Sequence, residues 1–110
     1  MERLVKGDII VINFPYSDLV NYKKRPALVL KVPNGEDIIV CQITSSSSEK
    51  SLEISLHDQD FQSGKLKINS YIRIDKIFSI EKSLIDYKIG SLRCEKFNEF
   101  MEKLVYFLKN

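Results

Sequence analysis

The sequence predicts a mainly β fold: a small barrel or strongly bent sheet of five to seven short strands, followed by one C-terminal helix. Three observations carry that expectation. Runs rich in Ile and Val recur between residues 8 and 89, and two of them alternate between apolar and polar positions. Turn signals such as Pro33-Asn34-Gly35 separate the runs. Beyond Gly90 the apolar period changes from two to about 3.6.

Each element has its own justification. Gly7 opens the first strand, 8–14, and Pro15 ends it. Residues 15–25 hold Ser, Asp, Asn and the basic run Lys23-Lys24-Arg25, and read as a long loop of the kind that often serves function. Strand two is 27–32, with Pro26 tolerable at its start. Strand three, 38–44, is nearly all apolar, as a central strand would be. The serine run 45–48 reads as a flexible loop tip. Residues 52–56 alternate, one face in and one face out, and 58–67 read as a second loop with Gly64. Residues 70–75 alternate again, with Ile72 and Ile74 on one face and Tyr71, Arg73 and Asp75 on the other. Two further strands, 77–80 and 85–89, follow, the second closed by Gly90. On the helix, Phe97, Phe100, Met101, Leu104 and Leu108 form one stripe, widened by Val105 and Phe107, with Ser91 as the expected N-cap.

At 110 residues, 44% apolar and 29% charged, the chain is expected to fold as one domain, 1–110, without disulfide staples. Its apolar runs fall far short of the ~20 residues of a membrane helix, and its start does not read as a secretory leader. A soluble, cytoplasmic protein is the expectation. The net charge is only +2, and the sharpest local feature is Lys23-Lys24-Arg25. That run suits a phosphate backbone, an acidic protein or plain solvation.

Cys41 and Cys94 have no Cys or His at metal-ligand spacing, and both read as small buried hydrophobes. The only histidine, His57, lies in a polar stretch and reads as a surface loop residue. Phosphate-loop, dinucleotide, zinc and nucleophile-elbow motifs are missing, so no metal and no cofactor is expected. What remains is a set of polar residues where strands meet loops: Arg25, Thr44, Ser45, Arg73 and Asp75. Arg73 and Asp75 stand about 7 Å apart on one strand face. They read either as an exposed polar pair or as an anion site, the guanidinium holding a phosphate while the carboxylate acts on a nearby proton. Thr44 and Ser45 alone read as hydroxyls satisfying local backbone.

The residues nonetheless form a recognisable series. Lys6-Gly7-Asp8-Ile9-Ile10-Val11, Phe14-Pro15-Tyr16, Lys24-Arg25-Pro26-Ala27-Leu28-Val29-Leu30, Ile43-Thr44-Ser45 and Ser70-Tyr71-Ile72-Arg73-Ile74-Asp75-Lys76 follow one another in the order and spacing of the MazF/PemK-like toxins of bacterial toxin–antitoxin pairs. The resemblance runs from Lys6 to about Leu108. It implies an SH3-like barrel with a C-terminal helix, a homodimer, and a cognate acidic antitoxin as protein partner. It also implies metal-independent cleavage of single-stranded RNA by attack of a ribose 2′-hydroxyl on its own phosphate.

By that resemblance Arg25 stabilises the phosphorane charge or acts as acid, and Thr44 holds a phosphate oxygen. Arg73 and Asp75 match a pair that serves as acid and base in one branch of the family. Lys23, Lys24, Ser45 and Tyr16 would contact RNA, with Tyr16, Tyr22 and Phe61 available for stacking. Two other readings stay open: a non-enzymatic, gyrase-directed toxin of the CcdB kind, and an inactive barrel that only binds nucleic acid or a partner.

Overall fold

A computed structural model describes residues 3–15 and 22–110. Its strands are β1 (Asp8–Pro15), β2 (Tyr22–Lys31), β3 (Asp37–Thr44), β4 (Glu53–Leu56), β5 (Phe61–Ser63), β6 (Ser70–Glu81) and β7 (Ile85–Leu92), and one helix, α1 (Cys94–Lys109), ends the chain. All seven strands join one antiparallel sheet in the order β4-β6-β3-β2-β1-β7-β5.

The three central strands are apolar on both faces, and alternation sorts their side chains into two clusters. Ile9, Leu28, Leu30, Cys41 and Ile43 face one way and meet Phe97, Phe100 and Leu104 of α1. Ile10, Ile12, Ala27, Val29, Ile38 and Val40 face the other way, where no helix lies among the described residues. The sheet covers that second face by curling: Ile80 from β6 and Ile85 from β7 close over it, with Phe14 and Phe78 in edge-to-face contact at 5.2 Å between centroids.

Curling needs breaks in register, and β6 holds the largest. Ile43 pairs with Ile72 and Cys41 with Ile77, so β6 takes five steps while β3 takes two. The three surplus residues make a bulge over 73–76, a device that bends a strand and re-aims its side chains. Ile72 ahead of the bulge and Ile74 within it enter the first cluster; after it Phe78 and Ile80 enter the second. The expected strands 70–75 and 77–80 are therefore one strand.

Other expectations need correction. Lys23-Lys24-Arg25 is not loop but the paired start of β2, with Arg25 opposite Ile12 and Lys23 opposite Phe14. The expected loop at 58–67 contains β5, and Phe61 is core rather than a stacking surface, 5% exposed. Residues 50–52 form a 3-10 turn ahead of β4. His57 is half-buried and opens a second 3-10 turn, its N–H donated to Asp60 Oδ2 at 2.8 Å.

Gly90 does not end β7, which runs on to Leu92. There β5 and β7 approach backbone to backbone, and a Cβ on Gly90 would sit 2.1 Å from the Ser63 carbonyl oxygen. Ser91 is a β7 residue whose Oγ lies 3.1 Å from that of Ser63, and the N-cap is Arg93, without a side-chain bond. Cys94 is exposed in the first turn of α1, unlike the buried Cys41. The apolar stripe of α1 also outruns its socket, leaving Leu108 65% and Val105 43% exposed.

Phe100, fully buried between sheet and helix, carries the first cluster. Truncating it to Ala is expected to cost about 3–5 kcal/mol in urea unfolding; a loss below about 1 kcal/mol would show that α1 does not hold this core.

Candidate functional site

The site is built from a row of side chains running across four strands. Arg25 of β2 opens it, on the sheet face that carries Ala27 and Val29. Ala27 pairs with Gln42 on β3, and beyond it Pro26 has no N–H to offer. Carried two residues further, the same register sets Arg25 across from Thr44. Thr44 pairs with Tyr71 of β6, and Tyr71 with Ser55 of β4. The next row holds Arg73 against Glu53. Adjacent strands lie about 5 Å apart, so an extended arginine side chain on β2 spans toward the β6 residues.

Arg73 and Asp75 form a two-bond fork. Nε donates to Asp75 Oδ1 and Nη2 to Oδ2, each at 2.9 Å, and Nη1 donates to Ser48 Oγ at 2.5 Å. The guanidinium beside it holds the Asp75 carboxyl below the usual carboxylate range, chiefly by hydrogen bonding. The same bond raises Arg73 above its ordinary value, with Glu53 and Glu49 adding to the field. Arg25 is placed differently. Half-buried, it has no hydrogen bond or ion pair among the described residues, so its charge is uncommitted.

The basic run on β2 does not act as one patch. Alternation turns Lys24 to the face opposite Lys23 and Arg25, and its Nζ lies 2.8 Å from Asp86 Oδ2. Lys23 is exposed on the Arg25 side. Ser45 is exposed beside Thr44, while Tyr16 lies outside the described residues, as does the side chain of Tyr22.

The serine run is not a free tip. Ser46 N donates to Thr44 Oγ1 at 3.2 Å, Ser48 N to Glu53 Oε2 at 3.4 Å, and Ser47 Oγ donates to Glu53 Oε1. Sequence reasoning missed Tyr71 and Glu53 as members of the site. Alternation puts Tyr71 on the Arg73 face, and it puts Glu53 opposite the apolar face of β4, yet Glu53 is 5% exposed.

Cys41 is withdrawn from chemistry: burial pushes its thiol up to about 12, with the Asp75 charge adding to the effect. Among the described residues no three His, Cys, Asp or Glu side chains converge as metal ligands would, and no helix is long and apolar enough to cross a membrane.

Fold and site together define a half-barrel protein that presents arginines, a hydroxyl and a carboxylate on one sheet face. The sequence matches the family described as PemK-like, MazF-like toxin of type II toxin-antitoxin system over residues 5–108, and the chain belongs to that family. Similar solved structures include a mycobacterial endoribonuclease in complex with its cognate antitoxin, at 14% identity and TM-score 0.76, covering 97% of this chain and 96% of that one. A MazE–MazF structure from Deinococcus radiodurans aligns at 20% identity and TM-score 0.77, covering 96% of each chain. The Mycobacterium tuberculosis toxin MazF-mt6 aligns at 18% identity and TM-score 0.70, covering 91% of this chain and 96% of that one. At these identities the likeness is one of fold. A comparison with curated proteins gives no match.

Because its folded pKa is depressed, Asp75 adds stability that is present above the ordinary carboxylate range and is lost as pH falls through its folded value. The amount is small, since the pair lies close to solvent. In Arg73→Ala the Asp75 midpoint, followed by carboxyl carbon NMR, is expected to move up; an unmoved midpoint would mean the fork does not form in solution.

Proposed function

We propose that this chain is an endoribonuclease toxin that cleaves single-stranded RNA by attack of a 2′-hydroxyl on the adjacent phosphate. The observation that carries the reading is the row itself: Arg25, unpaired among the described residues, the Thr44 hydroxyl and the Arg73–Asp75 fork share one sheet face. The family and the endoribonuclease neighbours support it.

In this reading the phosphodiester lies over the row. Arg25 meets the charge that grows on the phosphorane, and Thr44 Oγ1 holds a non-bridging oxygen. Asp75 takes the 2′-hydroxyl proton, and Arg73 gives one to the departing 5′-oxygen. The products are a 2′,3′-cyclic phosphate and a 5′-hydroxyl. Proton transfer across the 2.9 Å bond between Asp75 and Arg73 then restores both groups. No metal is required, because arginines supply the cations. Lys23 and Ser45 flank the row as RNA contacts. Tyr71, between Thr44 and Ser55, offers a ring for a splayed base.

The active form is proposed to be a homodimer, silenced by an acidic antitoxin that competes with RNA for the same cations. The exposed apolar end of α1, with Tyr106 at 70% and Leu108 at 65%, supplies surface for a protein partner.

Incubating the protein with a long single-stranded RNA in EDTA is expected to give discrete cuts with 5′-hydroxyl ends. Arg25→Ala and Arg73→Ala should each lower the rate by roughly 10²–10³-fold with melting temperatures unchanged to within about two degrees. Salt-sensitive RNA binding with no cleavage would instead support the binding-only reading. Double-strand DNA breaks in cells, without RNA ends, would support the gyrase-directed one.

A further inference from the structure

Glu53 is a carboxylate buried to 5% exposure at the head of β4, and a buried anion costs several kcal/mol unless its partners compensate. Among the described residues, the hydrogen-bond partners of its carboxylate come from the segment that follows Thr44. Ser47 Oγ donates to Oε1 and Ser48 N donates to Oε2 at 3.4 Å. Ser48 then accepts the Nη1 bond of Arg73 at 2.5 Å, and Ser46 N is held by Thr44 Oγ1 at 3.2 Å. The three residues 46–48 thus form one hydrogen-bonded strap, fastened to Thr44 at one end, to Glu53 from below and to Arg73 at the other end. A second clasp fixes Glu53 itself: Lys103 Nζ, reaching from α1, donates to the Glu53 carbonyl at 2.7 Å and to that of Lys50 at 3.2 Å.

The strap completes the restraint on Arg73. Asp75 holds Nε and Nη2, which leaves the guanidinium free to swing with the carboxylate; the Ser48 bond to Nη1 stops that motion. Three of the five N–H groups are then committed, and the remaining two keep a fixed direction.

We propose that Glu53 is the positioning residue of this site: through Ser47 and Ser48 it locks the Arg73 fork and registers it against Thr44. The proposal rests on the ribonuclease reading for its purpose, though not for its geometry. Glu53 is too deeply buried to touch a phosphodiester, so it acts through the strap.

The full chain carrying Glu53→Gln, Glu53→Ala or Ser48→Ala tests this in two arms. Without RNA, nitrogen-detected NMR of the arginine side chains, assigned with Arg73→Lys, reads rotation of the Arg73 guanidinium. Rotation is expected to be slow in the parent chain and at least about tenfold faster in Ser48→Ala and Glu53→Ala, with Glu53→Gln between them because it keeps an acceptor for Ser47. With RNA, kcat is expected to fall roughly 10- to 100-fold in Ser48→Ala and Glu53→Ala while KM stays within about twofold. Ser48 is exposed, so its variant reads the strap even if Glu53→Ala fails to fold.

Unchanged rotation in Ser48→Ala and Glu53→Gln overturns the proposal. So does faster rotation with undiminished kcat. If the parent chain cleaves no RNA, the ribonuclease reading fails, and the NMR arm still decides whether Glu53 sets Arg73.

Discussion

Three adjacent strands that are apolar on both faces cannot be satisfied by a flat sheet and a single helix. The helix α1 seals one face with Phe97, Phe100 and Leu104, and the sheet itself must seal the other. Everything else in the molecule answers to that constraint. The outer strands fold inward, β6 and β7 deliver Ile80 and Ile85 to the second cluster, and register breaks accumulate where the bending is sharpest. The Arg73–Asp75 pair sits in the largest of these breaks. A stretch excluded from regular pairing with β3 can turn its polar side chains toward each other rather than along a ladder. The site is thus placed by the packing of a core it does not belong to.

The two arginines of the site differ in their state rather than in their type. Arg73 is bound in a fork with Asp75, and Glu53 and Glu49 add their negative charge to the field around it. Arg25, on the far side of Thr44, has no hydrogen bond or ion pair among the described residues. The row thus has Arg25 of β2 at one end and the rigid polar pair of β6 at the other.

Much of this was legible in the sequence, because alternation and turn residues report directly on which side of a strand a residue faces. Ile72 and Ile74 against Arg73 and Asp75 needed nothing more, and neither did the buried heart of α1. What stayed hidden had physical causes. Lys23-Lys24-Arg25 looks like loop because its side chains are polar, yet pairing with β1 is a backbone matter that leaves Lys23 and Lys24 exposed and Arg25 half-buried. Phe61 was masked by polar neighbours that cover a strand of only three residues. The serine run carries no signal of order, since its order comes from Glu53, a few residues on, and from Arg73, distant until the sheet forms. Leu108, Val105 and Phe107 fit the stripe by period, but the core is only wide enough for the first three turns of the helix.

The bulge on β6 has a bearing on how such chains can vary. Its three surplus residues are an odd number, and so even-numbered Ile72 and Ile74 look into one cluster while even-numbered Phe78 and Ile80 look into the other. Lengthening or shortening residues 73–76 by two leaves every flanking side chain facing its own cluster. A change of one exchanges inside for outside along the whole remainder of the strand, bringing Ser79 and Glu81 inward and sending Phe78 and Ile80 to solvent. The pleat, and not the chemistry of the pair, therefore limits a change of length between Ile72 and Ile77 to an even step.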